Sequence, residues 1–213
     1  MNDKDKQPTS GFVSDIGDES DFNSTRHNGG FSNISEAYVS KSGFTRMFSA
    51  VRYGKRYMLK CLKPDFAYTP TYRQALMKEF EIGLQLDHPN ICRTISMEPV
   101  GELGDCIVME YVDGETLEAA VKGGNMTEDK VRKIASQLLD AMEYMHAKQT
   151  VHRDIKPSNI MLTHRGGDVK LIDFGLSDSE KFCVLKIPAG TIGYMAPEQL
   201  QPGAKSDPCA DIY

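Results

Sequence analysis

The hydrophobic and polar positions divide the chain into an irregular start and a patterned remainder. Residues 1–33 are rich in Asp, Ser, Asn and Gly and show no sustained period. This composition predicts a disordered leader, because such a segment buries too little apolar surface to offset its chain entropy. A docking segment is the alternative for the leader. It would use the few apolar residues there, which are Phe12, Val13, Ile16, Phe22 and Phe31.

From Ile34 onward, short apolar runs predict a series of β-strands. The turn sequence Tyr53-Gly54-Lys55 predicts that the two runs on either side of it form a hairpin. The predicted strands lie at residues 38–39, 47–51, 56–60, 91–97 and 106–111.

Two longer segments carry apolar residues at helical spacing. Residues 71–87 predict one helix, which the turn His88-Pro89-Asn90 should end. Thr127 is a good N-cap for the second helix, with Glu128 and Asp129 in its first turn. The apolar stripes consist of Tyr72, Leu76, Phe80 and Leu84 in the first helix, and of Val131, Ile134, Leu138, Met142 and Met145 in the second. We expect the second stripe to be part of the core. After this helix, residues 160–162 and 169–172 predict a small hairpin. Strands therefore dominate the first half of the chain and helices the second half.

Composition and charge narrow the possible classes of function. The 213 residues are 40% hydrophobic and 26% charged, as in ordinary globular proteins of one or two domains. The net charge of −5 offers no basic surface for nucleic acid or an anionic membrane. The five cysteines are scattered singly, which argues against a zinc site or a disulfide framework and favours a reducing, cytoplasmic setting. No apolar run approaches the ~18 residues of a membrane span, and the first residues lack the apolar core of a signal peptide.

The candidate chemistry lies in two motifs, Val151-His152-Arg153-Asp154-Ile155-Lys156-Pro157-Ser158-Asn159 and, 14 residues beyond Asn159, Asp173-Phe174-Gly175. Asp154 is a candidate base for a substrate hydroxyl, and Lys156 can reach a transferring phosphate. Asn159 and Asp173 offer oxygen ligands of the kind that Mg²⁺ prefers. Together these are the groups needed to move a phosphoryl group from ATP to a hydroxyl.

The order and spacing of these motifs resemble the catalytic loop and the metal-binding loop of eukaryotic-type protein kinases. The resemblance covers nearly all of residues 36–213. It implies a bilobal α+β fold, with an N-lobe at 34–111 and a C-lobe at 112–213. It also implies ATP and Mg²⁺ as cofactors and a protein as substrate.

In this family a strand lysine holds the ATP phosphates and pairs with a helix glutamate. Lys60, at the end of a predicted strand, matches the lysine. Counting back from His88-Pro89-Asn90 puts the partner at Glu79. Glu81 is the weaker alternative, because it lies on the opposite face of the helix.

The segment from Ile107 to Gly114 resembles the hinge between the kinase lobes. The backbone groups of Glu110 and Val112 would then bond adenine, and Met109 would be the gatekeeper. Glu115 could reach the ribose, and Met161 would form the floor beneath adenine. An ordinary strand and turn is the alternative for this segment taken alone.

The segment from Gly190 to Glu198 resembles the end of the kinase activation segment. Thr191 would line the site of the substrate hydroxyl, and Thr191 with Lys156 resembles the serine/threonine class. Arg153, directly before Asp154, implies control by phosphorylation of the activation loop. Ser177, Ser179 and Thr191 are the candidate phosphorylation sites.

Three features depart from the family pattern. The phosphate-covering loop has Ser40, Ser42, Thr45 and Met47 where the family has three glycines and a valine, so side chains should crowd the phosphates. Met58 replaces a small alanine above the adenine, and methionine can either slide aside or narrow the pocket. Gly83 stands four residues after Glu79, where the family has a bulky apolar residue behind Phe174. We expect either a weakened active arrangement or another side chain in the gap.

The chain stops at Asp211-Ile212-Tyr213, which resembles the start of a helix whose aspartate braces the catalytic loop. The later helices of a kinase C-lobe are not in this sequence, so we expect a fragment of a longer protein. Two alternatives to a protein kinase remain: a pseudokinase or inactive fragment that acts as a binding module, and a kinase-fold enzyme that phosphorylates small molecules.

Overall fold

A five-stranded antiparallel sheet precedes a mainly helical region in the computed structural model, which describes residues 29–39, 43–124, 126–179, 191, 193–200 and 207–213. The strands are β1 (Ser32–Val39), β2 (Thr45–Arg52), β3 (Lys55–Leu62), β4 (Thr94–Pro99), β5 (Asp105–Glu110), β6 (Gly114–Thr116), β7 (Thr150–Val151), β8 (Ile160–Thr163), β9 (Val169–Leu171) and β10 (Asp178–Ser179). The α-helices are α1 (Pro70–Leu84), α2 (Leu117–Lys122), α3 (Glu128–Ala147) and α4 (Cys209–Ile212). The expected α+β class is confirmed, and the expected boundary between the lobes falls in the connection from β5 to β6.

The large sheet has the strand order β1-β2-β3-β5-β4. Its predicted hairpin is present: Arg52 pairs with Lys55, and the two residues between them, Tyr53 and Gly54, have φ of 52° and 73°. Two positive φ values are what a tight two-residue turn requires to match the twist of its strands. Two smaller sheets follow in the lower lobe, β6-β8-β9 and β10-β7.

The two faces of the large sheet bury different sets of side chains, because successive residues of a strand point to opposite faces. One face packs against α1 in a cluster that includes Leu62, Leu76 and Ile107. The other face forms a second cluster from Phe31, Phe48, Ala50, Leu59, Cys61, Val100, Cys106 and Val108. Lys60 lies between Leu59 and Cys61 and therefore points to the α1 side.

The folded region begins earlier than the predicted end of the leader at residue 33. Strand β1 starts at Ser32, and Phe31 is fully buried. The ring of Phe31 meets Tyr57 edge to face at 5.8 Å, and the Arg52 guanidinium lies 4.2 Å from its centroid. Arg52 also bonds the Gly29 carbonyl at 3.4 Å. The sequence pattern missed this because a single phenylalanine among glycines and polar residues has no period.

Helix α1 ends at Leu84, three residues before its predicted end at residue 87. The next strand, β4, begins at Thr94, three residues after its predicted start at residue 91. At the helix end, Gln85 N–H donates to the Ile82 carbonyl, so the last turn tightens. Ile91 does not extend β4, because it makes a parallel bridge to Leu171 in the lower lobe. Leu84 is 53% exposed. A spacing of four residues exceeds the helical repeat of 3.6, so the predicted stripe winds off the buried face.

Helix α3 supplies the core of the lower lobe. Thr127 is its N-cap, as predicted, and the Thr127 hydroxyl accepts a hydrogen bond from Lys130 N–H at 3.4 Å. Val131 was expected in the stripe but is exposed, since it lies in the first turn beyond the packed surface. The residues of α3 buried against the rest of the lobe are Ile134, Ala141, Met142 and Met145. Within the described part of the chain, no helix is both long and apolar enough to cross a bilayer.

We predict that Phe31→Ala lowers the free energy of unfolding by about 3–5 kcal/mol, because it removes a fully buried ring from the outer face of the sheet. Urea denaturation followed by circular dichroism measures the change. The matched control is Tyr53→Ala, which removes an aromatic ring that is 97% exposed and should change stability by less than about 0.5 kcal/mol. Equal effects of the two substitutions would contradict the burial of Phe31.

Candidate active site

Lys60 lies between two carboxylates from distant parts of the chain. Its Nζ is 2.6 Å from Glu79 Oε1 on α1 and 2.7 Å from Asp173 Oδ1, which follows β9. The Lys60 and Glu79 side chains are 7% and 6% exposed, whereas Asp173 keeps 48% of its side-chain surface open. Glu79, and not Glu81, is therefore the glutamate that the fold brings to Lys60.

The three charges set each other's pKa values. Burial alone would raise the pKa of Asp173, but the charge and the hydrogen bond of Lys60 lower it to about 2. Burial would lower the pKa of Lys60, and the two carboxylates outweigh that effect and raise it. Burial raises the pKa of Glu79, with Lys60 opposing the shift. Asp173 is thus held as a carboxylate at any neutral or mildly acidic pH.

A second cluster joins Asp154, Lys156 and Asn159 to Thr191. Thr191 Oγ1 donates to Asp154 Oδ1 at 2.8 Å, and Lys156 Nζ donates to Asp154 Oδ2 at 2.7 Å and to Thr191 Oγ1 at 2.6 Å. Asn159 Nδ2 donates to the backbone and side-chain oxygens of Asp154, each at 3.0 Å. A hydroxyl is thereby seated between a carboxylate and an ammonium group, as a substrate hydroxyl would have to be.

Asp211 holds the backbone of the catalytic loop. Its carboxylate accepts Arg153 N–H at 2.7 Å and His152 N–H at 2.8 Å, and it also contacts His146 Nε2 at 2.8 Å. Arg153 has φ of 70°, a conformation that costs a non-glycine residue free energy and needs such support. This is the brace that the resemblance implies for Asp211, and it fixes the backbone directly before Asp154.

Asn159 and Asp173 have the free oxygens that a Mg²⁺ ion would need. The Asn159 amide nitrogen makes the bonds to Asp154, and within the described residues no hydrogen bond to Asn159 Oδ1 is found. Asp173 Oδ1 accepts from Lys60 and from Gly175 N–H, which leaves its other oxygen available. Oxygen donors of this kind suit Mg²⁺, which keeps several waters and takes few protein ligands. The described residues contain no group of three His, Cys, Asp or Glu side chains that would form a complete metal cage.

The residues expected around adenine line up across the sheet. In the β-ladder, Met47 is opposite Lys60, and Met58 is opposite Met109. Directly opposed residues, and residues two apart on one strand, share a face, so these three methionines lie on the same face as Lys60. Met161 is in the lower lobe on β8.

In the segment that resembles the hinge, the backbone of Val112 and the side chain of Glu110 differ in what they contact. Val112 lies between β5 and β6, and among the described residues no group hydrogen-bonds to its backbone. The Glu110 carboxylate does not face a nucleotide: it accepts from Lys170 Nζ at 2.7 Å and from Arg93 N–H at 2.9 Å. This contact ties the hinge to β9, and the sequence did not predict it. Glu115 is exposed on β6.

Some predicted positions are not brought into this arrangement. Ser40 and Ser42 lie outside the described residues. Ser177 is 1% exposed and its hydroxyl donates to the His152 carbonyl at 3.4 Å. The Ser177 hydroxyl is therefore enclosed by the loop that carries Asp154, and phosphorylation of Ser177 would require this contact to open.

Gly83 has a neighbour that the sequence did not reveal. Thr94, the first residue of β4, lies where a side chain on Gly83 would project, and its Cβ is 3.1 Å from the position of that missing Cβ. Of the two outcomes expected at this position, the structure supports the second, in which another side chain fills the gap.

Comparison with known proteins agrees with this geometry. The family model described as protein kinase domain matches residues 41–213. Mitogen-activated protein kinase kinase 9 from Arabidopsis thaliana is 39% identical over 165 residues, which are 74% of this chain and 50% of that protein. Probable serine/threonine-protein kinase SCO3848 from Streptomyces coelicolor is 32% identical over 82% of this chain and 27% of its own length. Serine/threonine-protein kinase PrkC from Bacillus subtilis is 35% identical over 73% of this chain and 24% of its own length. The chain spans half or less of the length of these relatives.

We predict that Lys60→Met raises the pKa of Asp173 from about 2 towards the ordinary aspartate value of about 4, because the charge and the hydrogen bond of Lys60 are lost. Nuclear magnetic resonance of ¹³C-labelled aspartate carboxyls measures the titration. The folded-state pKa of Asp173 lies below its unfolded value, so its contribution to stability is present above about pH 4 and is lost as the pH falls towards 2. The variant should lack this loss.

Asp168 is the control carboxylate for this titration. Its pKa is also lowered, but by hydrogen bonds from Lys133 and Gln137, so Lys60→Met should leave it unchanged. A titration of Asp173 that is the same in both proteins would contradict the assigned role of Lys60.

Proposed function

Because this chain belongs to the protein kinase family, we propose that it transfers the γ-phosphoryl group of ATP to serine or threonine hydroxyls of proteins. The observation that carries the proposal is the triangle of Asp154, Lys156 and Thr191, in which a hydroxyl already lies 2.8 Å from a carboxylate and 2.6 Å from an ammonium group. A substrate hydroxyl presented beside Thr191 would meet the same two groups.

In the proposed reaction, Asp154 orients the substrate hydroxyl and accepts its proton. The hydroxyl oxygen forms a bond to the γ-phosphorus as the bond from that phosphorus to the ADP oxygen breaks. Lys156 places its positive charge beside the transferring phosphoryl group, where negative charge spreads over the equatorial oxygens. Asn159 holds the Asp154 carboxylate through a bond of 3.0 Å and so limits its rotation.

The nucleotide would be held by the cluster around Lys60. Lys60 would contact the ATP phosphates, with Glu79 fixing the direction of its ammonium group. Asn159 and Asp173 would hold Mg²⁺, which when bound would neutralise charge on the phosphates. The low pKa of Asp173 keeps it in the charged form that a metal ligand needs.

The adenine would lie against the hinge. The backbone of Val112 and the carbonyl of Glu110 would supply the hydrogen-bonding groups, since the Glu110 N–H already donates to the Arg93 carbonyl at 3.0 Å. Met109 would be the gatekeeper and Met161 the floor. Met47 and Met58 share the face of Lys60, so their flexible side chains border the same space. Ser40 and Ser42 of the phosphate-covering loop, and Glu115 near the ribose, complete the proposed contacts.

The alternative of a non-catalytic binding module has no observation in its favour. It would predict that the catalytic groups are missing or held apart. Instead Lys60 contacts Asp173, and Asp154 contacts Asn159.

The free cysteines among the described residues, Cys61, Cys92, Cys106 and Cys209, support a reducing compartment such as the cytoplasm.

Phosphate transfer from radiolabelled Mg-ATP to a mixed Ser/Thr peptide library tests the proposal, with this chain and with the longest native form that contains it. We predict that Asp154→Asn lowers the rate by about 100-fold or more, because it removes the base while keeping the shape. Chelation of Mg²⁺ should have a comparable effect.

The matched control is Asp140→Asn, which neutralises an exposed carboxylate on α3 outside the proposed site and should leave the rate unchanged. Transfer that survives in Asp154→Asn would refute the assignment of the base. An absence of both transfer and ATP binding in the native form would refute the proposed function.

A further inference from the structure

Gly83 lies in the last turn of α1, one residue before the helix ends at Leu84, and Gln85 is the C-cap. The φ of Gly83 is not positive, so the backbone there does not require glycine. Within a helix, glycine is less favourable than alanine by up to about 1 kcal/mol. The reason for glycine at this position must therefore lie in what packs against it.

Thr94 on β4 is that neighbour. A Cβ added to Gly83 would overlap Thr94 Oγ1, and it would lie 3.1 Å from Thr94 Cβ and 3.6 Å from Thr94 Cγ2. Rotation of the threonine side chain could move Oγ1, but Cβ is attached to the backbone and cannot rotate away. A side chain at position 83 would thus push the helix and the strand apart.

The contact lies one helical turn from the ion pair of the site. Residues four apart lie on the same face of a helix, and both Glu79 and Gly83 are buried. Glu79 reaches Lys60 at 2.6 Å, a distance that leaves no room for the helix to move outward. The separation of α1 from the sheet at Gly83 therefore bears directly on the bond between Glu79 and Lys60.

The strand side of the contact is connected to the site as well. Thr94 is only 7% exposed and pairs with Met109 on β5. Met109 in turn pairs with Met58 on β3, two residues before Lys60. The strand pairing thus fixes the position of Thr94 relative to Lys60. The position of α1 against Thr94 then determines where the helix places Glu79.

We propose that Gly83 and Thr94 are positioning residues that set the close approach of α1 to the sheet and thereby place Glu79 on Lys60. The catalytic part of this inference rests on the proposed kinase function, whereas the docking of α1 does not. The resemblance implied a bulky apolar side chain at position 83, and here the close approach of Gly83 and Thr94 stands in its place.

Gly83→Ala tests the proposal because two explanations predict opposite results. If the glycine has no packing role, alanine should stabilise the helix and slow amide exchange in residues 70–84 by up to about fivefold. The proposal expects faster amide exchange in the same segment, because the helix moves off Thr94. It also expects kcat/KM for ATP to fall by about tenfold or more, since a displacement of ~1 Å at a catalytic group can cost about 100-fold.

Gly123→Ala is the matched control. Gly123 caps α2 with φ of −70°, and an added Cβ would meet only the Ala119 and Ala120 carbonyl oxygens at 3.5 Å, an ordinary contact. This substitution should leave both the activity and the exchange of residues 70–84 unchanged. An effect equal to that of Gly83→Ala would overturn the proposal.

The double variant Gly83→Ala with Thr94→Gly separates the contact from a general loss of structure. Thr94→Gly removes Cβ together with Oγ1 and Cγ2, so the new alanine at 83 has space again, and we expect recovery of slow exchange and of most of the activity. Failure of the second substitution to restore either quantity would overturn the proposal, and so would a fully active Gly83→Ala single variant. If the wild-type protein transfers no phosphate, the kinase function fails, and the exchange measurements still decide the positioning role.

Discussion

The arrangement of the site depends on the ion pairs that the buried ammonium group of Lys60 makes with the carboxylates of Glu79 and Asp173. These ion pairs join β3, α1 and the segment after β9, and Lys60 and Asp173 are 113 residues apart in the chain. A buried charge without a partner costs several kcal/mol, so the fold must bring these three elements together or bear that cost. Their meeting fixes the position of Asp173, and with it the place where a metal ion and the nucleotide phosphates would lie.

A second buried carboxylate, Asp211, plays the corresponding part in the lower lobe. It accepts hydrogen bonds from two consecutive backbone amides and contacts His146 on α3. The unfavourable backbone conformation of Arg153 is stable only with such support. His152 connects the two clusters. Its ring packs edge to face on the ring of Phe174, the residue after Asp173, with 5.4 Å between the ring centroids.

Small residues matter in this fold as much as charged ones. Where α1 crosses β4, Gly83 and Thr94 allow a close approach that larger side chains would prevent. On the opposite face of the sheet, the ring of Phe31 closes the core. The sheet is thus held from both sides, and the strand that carries Lys60 has little freedom to shift.

The sequence by itself determined the hairpin turn at Tyr53 and Gly54, the cap at Thr127 and the residue types of the two motifs, and the resemblance of these motifs to a family implied the class of fold. The turn, the cap and each motif are local, because they depend on residue types and spacing over a short stretch of chain. The tertiary structure alone decided the burial of Phe31, the departure of Ile91 from β4, and the contact of Thr94 with Gly83. Those features depend on which segments meet in space, and a solitary phenylalanine or a glycine in a helix carries no local pattern from which that meeting can be read.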